Sequence, residues 1–426
     1  EARMADQSLD RKAAWVPPPR PDWVQRFNQE GEYMDIAGVV PLDVDSLMHS
    51  AMRSTGLSDF GTDPWFEPFA VLVKSLEEEA SFNLLGRIRA RAELIIMLEA
   101  RLQIEDWYKR HPEIDDEVIT KPIFIIGQGR SGTTMLINVL SSNPDNGVVM
   151  TWEGMFPCPP PEKATYESDP RIEKAHHLIT QVNRVTPTMV SMHNFAGNVP
   201  HECLQLFGPS FMSAAWFNSM GQVPTYTNFI ANRDHEPAYR YHKRILKLLQ
   251  WRNPRSQWVV KSPSHLDQLP ALLKVYPDAC LIWPHRDPVK ALASLVSLVG
   301  TVQWGRTDHP FKFGSWDDFV DAKGVAARFN RVIDWLESGV VPKKQLFNML
   351  YRDLVTDTMR VLEEMYTYFG LTLSERGRAA MADYLARNPR TARPAHKFDV
   401  GPSTVIKEDR QALARYQQYF GVPNEI

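Results

Sequence analysis

The stretch GQGRSGTT at 127–134, directly after the apolar run PIFII, places Gly127 and Gly132 with four residues between them. Glycines at that spacing, after a strand and before a helix, let the backbone close around an anion and aim the first N–H groups of the helix at it. Gly129 and Gly132 allow the close approach, Arg130 adds a rigid cationic fork, and the hydroxyls of Thr133 and Thr134 add donors. A loop that binds nucleoside triphosphates carries Lys before its Ser or Thr. Here that position is Thr133, and the only cation in the loop is Arg130.

Further chemistry-bearing residues follow the apolar runs. WVVK at 258–261 ends in Lys261 rather than in an acid, and Asp287, after the fourth run, is followed by Pro288 and reads as a helix cap as readily as a metal ligand. Glu153 follows GVVM at 147–150, where a strand-end carboxylate faces the crevice of an open α/β sheet. Trp152 and Phe156 beside it favour a raised pKa and a role as general base. His265 lies four residues after Lys261 and reads by itself as a pocket wall or a structural histidine. His201 and Glu202, in an HEC triplet, open an apolar stretch and are expected to line an acceptor pocket; a Glu at a helix start is the equal alternative. His176 and His177 lack companions at ligand spacing, and no metal site is expected.

The elements that must position these groups form two textures. To about residue 40 the chain is proline-rich and expected to wrap as an extended arm, followed by three helical patterns at 44–55, 65–80 and 82–110. The third has apolar residues at three- and four-residue spacing from Leu84 to Ile104 and reads as an amphipathic helix. Then come short apolar runs at 122–127, 147–150, 258–261, 279–283 and 345–350, alternating with helices, which point to a parallel α/β sheet. The long interval between the second and third runs is expected to cover the active-site face. The boundaries are therefore an arm and helical subdomain over 1–118 and an α/β domain over 119–426 with an insertion at about 155–255. In the helix expected after Asp287, Gly300 is the expected stop.

PIFIIGQGRSGTT resembles the 5′-phosphosulfate loop of the sulfotransferases that use 3′-phosphoadenosine 5′-phosphosulfate (PAPS), in the branch with Arg before SGTT. HRDPVKALASLVSLV at 285–299 resembles their 3′-phosphate motif, which pairs an Arg at a strand end with a Ser eight residues later, here Arg286 and Ser294. The resemblance covers roughly 122–370. It implies a P-loop-like three-layer fold, a donor held by Gly129, Arg130, Ser131, Gly132, Thr133, Thr134, Arg286 and Ser294, and a catalytic Lys261. It also implies that Tyr351 lies near the nucleotide and that Lys397, in a late loop, contacts the 3′-phosphate; the Arg-Lys-Gly triplet of one branch is missing there. In that family the base is a Glu after the second strand, matching Glu153, or a His two residues after the lysine, against which His265 is offset.

The expected activity is sulfuryl transfer to a hydroxyl of a small or medium-sized acceptor, carbohydrate, phenolic or otherwise, with no metal required. A P-loop kinase for a small metabolite and a non-catalytic nucleotide-binding scaffold are the alternatives. A formal net charge of −3 offers no global field for nucleic acid. Three widely spaced cysteines and no apolar run long enough to span a bilayer give a cytoplasmic location as the expectation.

Overall fold

The computed structural model describes residues 11–389 and 401–426. Five strands form one parallel sheet: β1 Ile123–Ile125, β2 Asn146–Gly147, β3 Gln257–Lys261, β4 Cys280–His285 and β5 Leu346–Leu350. Their order is β2-β3-β1-β4-β5. The chain leaves β1 towards one side for β2 and β3 and returns to the other for β4 and β5. The crevice at the carboxyl end of β1 is therefore the switch point where open α/β sheets bind ligands. Register brings Ile125 opposite both Lys261 and Ile282, so three strand ends share one edge.

Alternation along the strands builds two cores. Phe124, Val260, Leu281 and Trp283 face the helices Glu236–Trp251, Leu269–Val275 and Ala322–Glu337. Ile123, Ile125, Val259, Cys280 and Ile282 face the helices Thr133–Ser142, Thr358–Phe369 and Glu375–Arg387. Strands buried on both faces read as continuous apolar runs, which is why they were legible. The result is a P-loop-like three-layer fold. GVVM differs from the expectation: strand pairing there is confined to Asn146 and Gly147, opposite Gln257 and Trp258.

The three expected N-terminal helices run Val44–Thr55, Phe66–Glu79 and Leu84–Arg110, but the arm expected to be extended is itself partly helical, with helices at Asp22–Glu30 and Ile36–Val39. The three longer helices after residue 43 share a core with Phe211, Phe217, Met220 and Tyr226 of the insertion, which anchors that segment. The long helix is not a simple amphipathic one, because it buries side chains around its circumference, Arg101 included. Arg101 Nε and Nη1 donate to Phe60 O (2.6 Å) and Pro209 O (2.9 Å). Its guanidinium lies 4.8 Å from the Trp65 ring centroid and 4.6 Å from that of Tyr241. A buried cation satisfied this way ties the helical region to the insertion.

Gly300 does not end its helix, which continues to Trp304. A Cβ there would come within 2.6 Å of the Trp15 ring, so the glycine admits the N-terminal arm instead. Trp15 also packs edge-on against Trp304 and Phe311. Among the described residues, no helix is long and apolar enough to cross a membrane.

Candidate active site

After β1 the backbone enters the left-handed region at Gly127 (φ 119°), Arg130 (φ 71°) and Gly132 (φ 99°). Gly132 opens the helix Thr133–Ser142 and supplies no side-chain cap, so its first N–H groups stay available to a ligand. Tyr351, which follows β5, packs so closely that a Cβ on Gly132 would lie 2.9 Å from its ring. Loop, helix start and Tyr351 line one cavity of about 430 Å³ with Lys261, Glu202, His193 and Arg286. Of the residues expected in the site, Gly129, Arg130, Gly132, Thr133, Thr134, Lys261, Arg286 and Tyr351 meet there. Ser131 turns inward and donates to Gln128 O at 2.7 Å, serving the loop's own shape. Lys397 lies outside the described residues.

Arg130 donates to Met192 O at 3.2 Å, and among the described residues no carboxylate pairs with it. Burial pushes its pKa down and Arg286 adds to the effect. Lys261, only 5% exposed, sits at the end of β3. Its Nζ lies 2.7 Å from Glu202 Oε1 and 3.4 Å from Thr134 Oγ1.

Glu202 reaches this position because the insertion is stitched to the sheet edge. Thr151 N donates to Val199 O (3.0 Å), His201 N to Val149 O (2.8 Å) and Cys203 N to Lys261 O (2.8 Å). The chain thus runs across the ends of β2 and β3 with the Glu202 side chain turned into the cavity. Burial acts to raise the Glu202 carboxyl, but Lys261, helped by His193 and His201, outweighs it and holds the group below the ordinary glutamate range. Burial and Lys261 push His193 down to about 4, so it is neutral at pH 7. The His193 ring stacks on Phe195 at 4.3 Å, and its Nδ1 has no partner among the described residues.

The second anion motif is split. Arg286 lines the cavity and lies 4.2 Å above the Tyr351 ring, with Nη1 donating to Arg130 O at 3.0 Å. Ser294 lies outside the cavity lining, buried, with its hydroxyl unpartnered among the described residues. Asp287 caps the following helix through Val289 N (3.1 Å) and takes a bidentate contact from Arg410, both oxygens at 2.6 Å. So occupied, it is a structural cap rather than a candidate metal ligand.

The two expected bases are elsewhere. Glu153 is fully buried outside the cavity lining. Its Oε1 accepts from Arg255 Nη2 at 2.7 Å and its Oε2 from Met150 N at 2.9 Å, which locks the turn after β2. The strand-end position is as expected, but the side chain turns inward to an arginine that the sequence does not mark. His265 is fully buried behind the sheet, hydrogen-bonded through Nδ1 to Tyr239 Oη at 2.8 Å and edge-on to Phe124. Neither group reaches a hydroxyl in the cavity. Replacing Glu153 with Gln leaves Arg255 buried without its counter-charge. Chemical denaturation should then register a loss of about 3 kcal/mol, while turnover per folded molecule stays near wild type. A large fall in turnover without destabilisation would return the base role to Glu153.

The residue the sequence left least defined is Glu202. Only its place in the HEC triplet pointed to a pocket, and nothing in that triplet signals Lys261 as its partner.

The chain is similar to known proteins. Residues 122–375 match the model of the sulfotransferase family. The omega-hydroxy-beta-dihydromenaquinone-9 sulfotransferase Stf3 of Mycobacterium bovis, and its Mycobacterium tuberculosis counterpart, are 23% identical over 303 residues, covering 67% of this chain and 72% of theirs. Two solved structures align over almost their whole length. Sulfotransferase STF1 of Mycobacterium tuberculosis is 29% identical, with a TM-score of 0.71 over 87% of this chain and 98% of its own. Sulfotransferase STF9 of Mycobacterium avium is 26% identical, with a TM-score of 0.75 over 90% of this chain and 98% of its own. With its anion loop, its strand-end lysine and a family match over more than half its length, the chain belongs to the sulfotransferase family.

Proposed function

We propose that this enzyme moves a sulfuryl group from PAPS to the hydroxyl of a small or medium-sized acceptor with an apolar body, and that Glu202 is the general base. The observation that carries the reading is the Lys261–Glu202 pair, 2.7 Å apart, in one cavity with Arg130 and an uncapped helix start. The donor supplies a sulfuryl group on a good phosphate leaving group. Arg130, the loop N–H groups and the hydroxyls of Thr133 and Thr134 bind the 5′-phosphosulfate, and Arg286 with Ser294 takes the 3′-phosphate. Ser294's orphaned hydroxyl fits that role, since a buried donor without a partner is costly.

Glu202 accepts the acceptor's proton while the acceptor oxygen bonds to sulfur and the bridging sulfur–oxygen bond breaks towards the phosphate. Lys261 turns from Glu202 to the bridging oxygen, where negative charge gathers. Its departure relieves the depression of the Glu202 carboxyl and strengthens the base as the proton is needed. One cation thus serves two anions in turn.

The acceptor's apolar character is supported by a small recess of about 40 Å³ whose lining is mainly apolar, with Ile96, Met97, Met155 and Trp216, alongside Glu93 and Gln205. The Trp216 ring lies 6.4 Å from that of His201, next to the base. The Mycobacterium bovis relative is an omega-hydroxy-beta-dihydromenaquinone-9 sulfotransferase. A screen of apolar alcohols, phenols and sugars with labelled PAPS, read by the mass gained by the acceptor, tests the reading. Apolar alcohols should gain the sulfonate with wild type, and Arg130→Ala should lower the rate about 100-fold or more. Magnesium-dependent ATP consumption with no sulfated product would overturn it in favour of a kinase.

A further inference from the structure

The strand-end cation Arg286 already holds an anion. Its Nε and Nη2 donate to the two carboxylate oxygens of Glu425 at 2.8 and 3.0 Å. Lys290 Nζ joins the same carboxylate at 3.0 Å. Burial acts to raise the Glu425 carboxyl, yet the two cations hold it below the ordinary range. The Gly421–Ile426 segment is fixed over the helix start, with Glu425 N donating to Asp287 Oδ2 (2.6 Å) and Arg410 Nη2 to Ile426 O (3.0 Å). A planar carboxylate bridging a guanidinium fork and an ammonium presents the oxygens that a phosphate would present.

The helix beneath supports the comparison. Lys290, Ser294 and Leu298 are spaced by four residues and so share one face of the helix Pro288–Trp304. Leu298 lines the main cavity, and Ser294 keeps a buried hydroxyl with no partner among the described residues. One helix face therefore carries a cation occupied by Glu425, an unsatisfied donor and a cavity wall in sequence.

We infer that Glu425 is a resident competitor for the 3′-phosphate subsite and that Lys290 is a third ligand there, beside Arg286 and Ser294. The inference rests on the PAPS reading above. On donor binding Glu425 releases both cations to the 3′-phosphate, and Ser294 gains the partner it lacks. The carboxylate thereby weakens retention of any nucleotide that bears that phosphate, product included. The opposite role, in which Glu425 stays and holds Arg286 in position, predicts effects of opposite sign.

Calorimetric titration with adenosine 3′,5′-bisphosphate and adenosine 5′-monophosphate separates the two. Glu425→Gln should tighten the bisphosphate about tenfold, equivalent to about 1.4 kcal/mol, and leave the monophosphate unchanged. Lys290→Gln should weaken the bisphosphate severalfold and likewise leave the monophosphate unchanged. Unchanged or weaker bisphosphate binding by Glu425→Gln overturns the competitor role, and unchanged binding by Lys290→Gln overturns its part in the subsite. If wild type and Glu425→Gln, both folded by circular dichroism, bind neither nucleotide at millimolar concentration, the donor reading itself falls and this inference with it.

Discussion

Replacing Glu202 with Gln should lower kcat by 100- to 10,000-fold while the affinity for adenosine 3′,5′-bisphosphate stays within about twofold. The amide keeps the shape and can still meet Lys261 Nζ, now 2.7 Å from the carboxylate, but it cannot accept the acceptor's proton. The other titratable groups nearby are poor substitutes. His193 is neutral with its pKa near 4, which makes it a weaker base than an ordinary imidazole, and Glu153 is enclosed with Arg255. Single-turnover rates beside nucleotide binding make the test clean, because a misfolded variant loses both and a variant lacking only the base loses one. A rate within tenfold of wild type would move the base elsewhere.

Removing Lys261 as Ala should cost about 100- to 1,000-fold in turnover and change the shape of the pH profile. In wild type the Glu202 carboxyl lies below its ordinary value of 4.5, so the basic form persists from neutrality into the acid range. The rate should therefore hold as pH falls and decline only below the usual glutamate range. Without Lys261 the burial of Glu202 is no longer opposed by its main counter-charge, and the folded pKa rises. The base is then lost at higher pH, and the acid limb of kcat/KM moves upward. A uniform drop with an unmoved limb would show that the two groups are not coupled.

Many of the residues that meet in the cavity were legible from the chain. The loop from Gly127 to Thr134 is a local object whose glycines, arginine and helix start are consecutive, so sequence order already contains its geometry. Lys261 and Arg286 end apolar runs, and parallel strands buried on both faces bring their carboxyl ends together. The carboxylates near the cavity were harder to read because their placement depends on which way a side chain turns and on which distant segment meets it. Glu153 stands where a crevice carboxylate was expected, yet Arg255 draws it inward. Glu202 comes from an insertion whose route is set by backbone bonds to Val149 and Lys261, for which no residue type is a signature. Gly300 shows the same limit on a smaller scale: a helix stop and a contact with a distant tryptophan look alike in one dimension.

The stitching of Val199, His201 and Cys203 to the sheet edge has a consequence for how such an enzyme diversifies. The insertion cannot lift away as a lid without parting Glu202 from Lys261, so under the proposed reading an acceptor would thread past a fixed base. Beyond those stitches, Phe211, Phe217 and Tyr226 share their packing with the N-terminal helices, not with the sheet. The outer insertion therefore depends for its packing on the N-terminal helices, while the position of Glu202 depends on backbone bonds to the sheet edge: two parts of one segment are held by two different bodies of structure.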